Sequence, residues 1–229
     1  MPPYRSWPVC TTFLIAGILL CWGCAADIER ANELLEAGDF LSARAICTEV
    51  LDRRPTDFAA QYCMGMTYGA EAMHKTGLGL PCPEKWYKAI YHMTVASNLD
   101  EEEEVDRTLA ILHFNLGSYF KKNDDIPAAV ARLQQAVSYD STLLKAVNLL
   151  GALYHQRDEL GRARRCYRKV VEIDPRFASG HFNLGAVAWA RGDFAAAARH
   201  FGTAAQLQPN NHHFRRWQQQ AAARSEENG

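Results

Sequence analysis

The strongest constraint on this chain of 229 residues is a period. HFNLG occurs at His113–Gly117 and again at His181–Gly185, and VNLLG stands midway between them at Val147–Gly151, a step of 34 residues each time. Gly117, Gly151 and Gly185 keep that step, as do Ala129, Ala163 and Ala197, and Leu116, Leu150 and Leu184. Asp124, Asp158 and Gly192 stand at a break in the helical pattern, followed by Ile126, Leu160 and Phe194, and Pro175 and Pro209 close the last two copies.

Each copy reads as two helices joined by a tight turn. HFNLGAVAWA keeps helical spacing, Gly192–Asp193 interrupts it, and FAAAARHFGTAAQL resumes it. A glycine inside a helix costs about 1 kcal/mol relative to alanine. Close approach of a neighbouring helix offsets that cost, so the glycine of the first helix and the alanine of the second mark a crossing.

These residues resemble the tetratricopeptide repeat, a helix-turn-helix family with this period. The resemblance is strongest over Ala110–Asn211. It implies an all-α, right-handed α-solenoid of about five units with a C-terminal capping helix. The first unit spans 25–57, with Gly38-Asp39-Phe40 at its turn, Ala43 as its small residue and Pro55 at its end; its first helix departs from the pattern at Arg30. The second spans 58–103, matched by Met64-Gly65, Tyr68, Ala89, Met93 and Ala96, but its helices stand twelve residues too far apart. The glycines and prolines of His74–Glu84 predict an inserted loop there, either a recognition element or a tolerated insertion. A connector and the third unit fill 104–143, the fourth 144–177 and the fifth 178–211. Residues 212–229 form a cap and polar tail, with Phe214, Trp217 and Ala221 as the stripe that covers the last repeat.

The N-terminus has another character. Arg5 precedes an apolar run, Val9–Trp22, then Gly23-Cys24-Ala25-Ala26, with no acidic residue before Asp27. This pattern predicts an export signal over 1–24. Gly23-Cys24 resembles a bacterial lipobox, which makes Cys24 the lipidated first mature residue; Cys21 and Trp22 depart from that box. Cleavage near Ala26 and an uncleaved anchor are the alternatives. All three place the remainder outside the cytoplasm, and lipidation places it on a membrane facing the periplasm or cell surface. Of the four later cysteines, Cys47, Cys63, Cys82 and Cys166, the pair expected to bridge, if any does, is Cys63 with Cys82; buried thiols are the alternative.

A net charge of −1 gives no field for nucleic acid. No HExxH, GxSxG, phosphate-loop or CxxC pattern follows the signal, so neither an enzyme, a cofactor nor a metal site is expected. RARRCYRK (Arg162–Lys169) and DEEEE (Asp100–Glu104) read as solvated helix faces or ends.

The family resemblance implies a groove lined by the first helix of each unit. Its candidates are Tyr62 and Met66 in the second unit and Phe114, Asn115, Lys121 and Lys122 in the third. The fourth contributes Asn148 and His155, and the fifth Phe182, Asn183 and Trp189. Asparagine amides pair with a peptide backbone, whereas local packing is the other role open to them; Lys121 and Lys122 suit an acidic peptide or a helix C-terminus. The implied function is a non-catalytic scaffold for a peptide or protein partner in an envelope, pilus or transport assembly. The alternatives are a carrier of a small apolar ligand for a transporter and an adaptor that uses its convex face; self-association is compatible with each.

Overall fold

The computed structural model describes residues 22–227, and every regular element among them is an α-helix. They belong to two compact units that divide between Tyr119 and Phe120. The export segment lies outside the described residues except for the backbone of Trp22–Cys24, in the first turn of α1. The proposed lipid site on the Cys24 side chain therefore also lies outside them. No described helix is long and apolar enough to cross a membrane.

The N-terminal unit contains α1 (Trp22–Ala37), α2 (Phe40–Arg53), α3 (Phe58–Gly77), α4 (Pro83–Leu99) and most of α5 (Glu103–Lys122). Gly38, at φ +81°, turns the chain between α1 and α2, and the Asp39 carboxylate then caps α2 by accepting from Ser42 N at 3.1 Å. Asp57 caps α3 in the same way through Ala60 N. The expected crossing is present: a Cβ on Gly65 would lie 2.9 Å from Met93 Cε and 3.3 Å from the Ala89 carbonyl oxygen. Helix α5 presents Val105, Leu109, Leu112 and Leu116 as one buried stripe. Its first turn carries Glu103, Glu104 and Asp106, where the helix dipole favours acids.

Two expectations are corrected in this unit. The insertion over His74–Glu84 is mostly helix: α3 runs on to Gly77 and α4 begins at Pro83, so only Leu78–Cys82 is a connection. An ion pair between Glu71 and Lys75, one turn apart, and basic His74 and Lys75 in the last turn favour that extension. Cys63 does not face Cys82. Cys82 Sγ instead donates to the Ala72 carbonyl at 3.4 Å and fixes the connection to α3, while Cys63 lies against Cys47.

The C-terminal unit contains the last turn of α5, then α6 (Ile126–Tyr139), α7 (Leu144–Gln156), α8 (Leu160–Ile173), α9 (Ala178–Ala190), α10 (Phe194–Leu207) and α11 (His212–Glu227). Asp124, Asp158 and Gly192 adopt φ of +61°, +58° and +77°, the left-handed turn that the repeat places before each second helix. Asp125 and Asp193 cap α6 and α10. A Cβ on Gly151 would lie 2.8 Å from the Tyr167 ring, and one on Gly185 2.6 Å from the Phe201 ring. Ala129, Ala163 and Ala197 are fully buried on the opposite side of these crossings. On α8, Ala163, Tyr167 and Val170 face inward and Arg162, Arg164, Arg165 and Arg168 face water, the solvated face expected of RARRCYRK. Helix α11 buries Phe214 and Ala221 and packs the Trp217 ring against Phe201 at 5.7 Å, closing the last repeat as its stripe predicts. Within each unit, successive helix pairs stack in the manner of an α-solenoid.

Candidate partner-binding surfaces

The groove candidates separate once their surroundings are known. Tyr62 is a core residue, 6% exposed, with its ring stacked 6.1 Å from Phe58. Met66, Phe114 and Asn115 are half-buried on the first helices α3 and α5. Lys121 and Lys122 are exposed in the last turn of α5, where they complement the helix dipole. His155 occupies the corresponding last turn of α7 and is half-buried.

Phe182 and Trp189 are half-buried and pack against the core of the last repeat. The Phe182 ring lies 5.1 Å from Phe201 and 5.0 Å from Phe214. Trp189 meets Phe194 edge-on at 4.9 Å and Trp217 at 5.4 Å. Both are held by α10 and by the cap, and edge-to-face rings of this kind pack well in cores.

Asn148 and Asn183 come together. Asn183 Nδ2 donates to Asn148 Oδ1 at 3.0 Å and joins first helices α7 and α9. Each amide has four hydrogen-bonding positions, and this bond uses one on each side. Asn183 Oδ1 and Asn148 Nδ2 carry no further hydrogen bond among the described residues, so the pair presents an acceptor beside a donor. The N–H and C=O of one residue in an extended chain, which face the same side, are the complementary pair.

Two further sites lie on the other side of the first helices, and no groove argument points to them. In the N-terminal unit, Arg44 of α2, Lys75 of α3 and Lys85 of α4 all pair with the buried Glu71 of α3; the lysines lie at 3.0 and 3.1 Å. The Tyr68 ring fills the same niche, with Arg44, Lys85 and Lys88 at 5.0–5.4 Å from its centre and His92 stacked on it at 5.7 Å. Gln61 completes it, its Oε1 accepting from His92 Nδ1 at 2.8 Å and its Nε2 donating to the Pro55 carbonyl at 3.0 Å. Burial pushes the Glu71 carboxyl up, but the hydrogen bonds from Lys75 and Lys85 and the charge of Arg44 outweigh it and hold the group below the ordinary carboxylate value. Burial, aided by Lys88, depresses His92.

In the C-terminal unit the corresponding place is a pocket of ≈ 180 Å³. Its floor is Leu184, Val187 and Ala188 of α9, and its walls are Arg164 of α8 with Ala196 and His200 of α10. Arg191 and Asp193 stand at the turn between α9 and α10. Asp193 is engaged as the cap of α10, and neither Arg164 nor Arg191 forms an ion pair among the described residues. Burial depresses His200, and the neighbouring His181 and arginines add to the effect. The sequence holds a signal for these sites: Arg44 and Arg164 each follow the small residue of a second helix, and His92 and His200 each stand three residues after one. Among the described residues no three His, Cys, Asp or Glu side chains gather in a way that could hold a metal ion.

Comparison with known proteins agrees with this architecture. The family model "TPR repeat" matches residues 151–192, and "Tetratricopeptide repeat" matches 178–211. The chain is 24% identical over 120 residues to Hsp70-Hsp90 organizing protein 3 of Arabidopsis thaliana, covering 52% of this chain but 22% of that protein. Among solved structures, MamA superposes with a TM-score of 0.54 at 23% identity, covering 81% of this chain and 92% of that one. YrrB, described as a TPR protein with an unusual peptide-binding site, superposes at 0.52 with 21% identity, covering 81% and 86%. These structures share the fold. With its glycine crossings, left-handed turns and stacked helix pairs, and with family models matched over residues 151–211, the chain carries tetratricopeptide repeats.

Proposed function

We propose that the protein is a non-catalytic scaffold that holds an extended segment of a partner protein against its first helices, with Asn148 and Asn183 as the anchor. The carrying observation is the amide pair across α7 and α9, which leaves Asn148 Nδ2 to donate beside Asn183 Oδ1 to accept on a half-buried surface. Such a pair grips a peptide backbone whatever its side chains, and flanking positions then choose the sequence. The peptide-binding site named for YrrB is in keeping with this reading.

A second reading rests on the pocket between α8, α9 and α10. Two unpaired arginines beside an apolar floor suit an acidic side chain of a partner that docks on the second helices. In either case the residues before Asp27 attach the scaffold to a membrane, through a lipid on Cys24 in the reading that the sequence favours. One acyl chain holds only marginally, so stable attachment takes several.

Crosslinking in the native envelope with the full chain tests these statements together. Asn148→Ala with Asn183→Ala abolishes capture of the partner if the amides hold it, and Arg164→Glu with Arg191→Glu abolishes it if the pocket does. Capture that survives both pairs of changes overturns both surfaces. Cys24→Ser releases the protein from the membrane fraction if the anchor is a lipid on that residue.

A further inference from the structure

We infer that Cys47 and Cys63 form an intramolecular disulfide that joins the second helix of the first repeat to the first helix of the second. Cys47 stands on α2 and Cys63 on α3, and their Sγ atoms are 2.8 Å apart. Carbon atoms, smaller than sulfur, already rest at roughly 3.5–4.0 Å when they are not bonded. The observed separation is thus short for two thiols and about 0.8 Å from the length of a covalent S–S bond. Both side chains are enclosed, at 0% and 1% exposure, in a cluster with Ala31 and Met64. The pair has no third ligand of the kind a metal site needs among the described residues. Among the described side chains the other two thiols are placed apart from this chemistry. Cys82 points to the Ala72 carbonyl, and Cys166 lies half-buried on α8 in the other unit.

The oxidant is a small-molecule disulfide, or a protein disulfide of the same chemistry. The Cys63 thiolate attacks one sulfur of that reagent, forms a mixed disulfide and expels one thiol. Cys47 then loses its proton and attacks Cys63 Sγ, expelling the second thiol. Two cysteine thiols and one reagent disulfide thereby become one protein disulfide and two reagent thiols. The hydrogen bond from Cys47 favours Cys63 as the first nucleophile, because it holds that thiol below its ordinary pKa while Cys47 is held above. Burial sets the timing: the reagent reaches these sulfurs in the folding chain or when α2 and α3 part, and the closed core then shields the bond from reductants. An oxidising compartment, which the export segment predicts, supplies such a reagent.

The test uses the purified full chain, unfolded and then refolded to equilibrium in a mixture of oxidised and reduced glutathione, denatured in an alkylating agent that blocks every free thiol, and digested without reduction. The expected result is one crosslinked peptide joining Cys47 to Cys63, two hydrogens lighter than its parts, with Cys82 and Cys166 alkylated. Reduction of that sample lowers Tm by roughly 6–12 °C, the effect of releasing a loop of this length in a chain of this size. Alkylation of both Cys47 and Cys63 in the equilibrated protein overturns the inference. So does a bridge to Cys82 or Cys166, or glutathione left on Cys63 without a protein bridge. Linkage mapping needs no variant, so the result does not depend on whether Cys47→Ala folds.

Discussion

Arg44 and Arg164 hold the same repeat position in the two halves of the molecule, yet one sits in a closed ionic network and the other at the rim of a cavity. Three residues after the crossing glycine stand Tyr68 in the N-terminal unit and Ala188 in the C-terminal one; six residues after it stand Glu71 and Arg191. Where tyrosine and glutamate are present, the ring occupies the niche and the carboxylate gathers three cations. Where alanine and arginine replace them, the backbone pattern persists and a pocket of ≈ 180 Å³ remains. Even the flanking contacts are kept: Gln61 and His181 each bond a proline carbonyl, Pro55 or Pro175, at 3.0 Å, and each lies near His92 or His200. The lesson is that the crossing residues fix the helix pair, whereas two positions on the first helix decide whether this face is sealed or open.

The sharpest way to break the comparison is Glu71→Gln. It leaves Arg44 and Lys85 gathered without a counter-charge, and the expected loss is about 2–4 kcal/mol. Arg191→Gln at the matched place changes stability by less than about 0.5 kcal/mol. Thermal unfolding of the two variants checks this, and equal losses would end the distinction.

Acid separates the two sites next. His92 and His200 have folded pKa values below the ordinary one of about 6.5, so the unfolded chain binds the extra protons and stability falls as pH drops below that value. Glu71 is depressed below its ordinary value of about 4.3; its contribution is complete above that pH and is lost as pH falls through the folded pKa. Denaturation measured from pH 7 downward should show both steps. His200→Gln reduces only the upper step, leaving the share of His92, and Glu71→Gln reduces only the lower.

The smallest expected effect is that of Ala188→Tyr, which restores the missing ring. Urea unfolding should shift by less than about 1 kcal/mol, because the ring enters space that is already open and gains Arg164 as a cationic neighbour. A larger loss would mean that the pocket differs in shape from the niche it matches in sequence.

Much of the fold was legible because its signals are local and periodic. The left-handed turn residues, the crossing glycines at Gly65, Gly151 and Gly185, and the capping stripe of α11 each depend on neighbours at a fixed offset in the chain. The insertion was less legible, since Gly77 marks the end of α3 only after the ion pair of Glu71 with Lys75 has carried the helix past the family length. Side-chain direction at the surface is the least local of these features. Tyr62, Phe182 and Trp189 have the offsets of first-helix residues, but which way an aromatic points depends on the helix that covers it. Asn148 and Asn183 both have first-helix offsets, but the bond that joins them does not follow from the period. The Glu71 network joins residues from three helices across the irregular second repeat, where the period no longer counts reliably.

Helix α11 has a consequence for assembly. A repeat array can in principle lengthen by docking a second molecule end to end, as one repeat docks on the next. Here the face of α10 that would receive such a neighbour is taken by Phe214, Trp217 and Ala221, and the outer side of α11 carries arginine and glutamine instead of an apolar seam. Growth of a fibre from that end would require α11 to peel away first. Any homotypic contact made with α11 in place must therefore use a surface other than this face of α10.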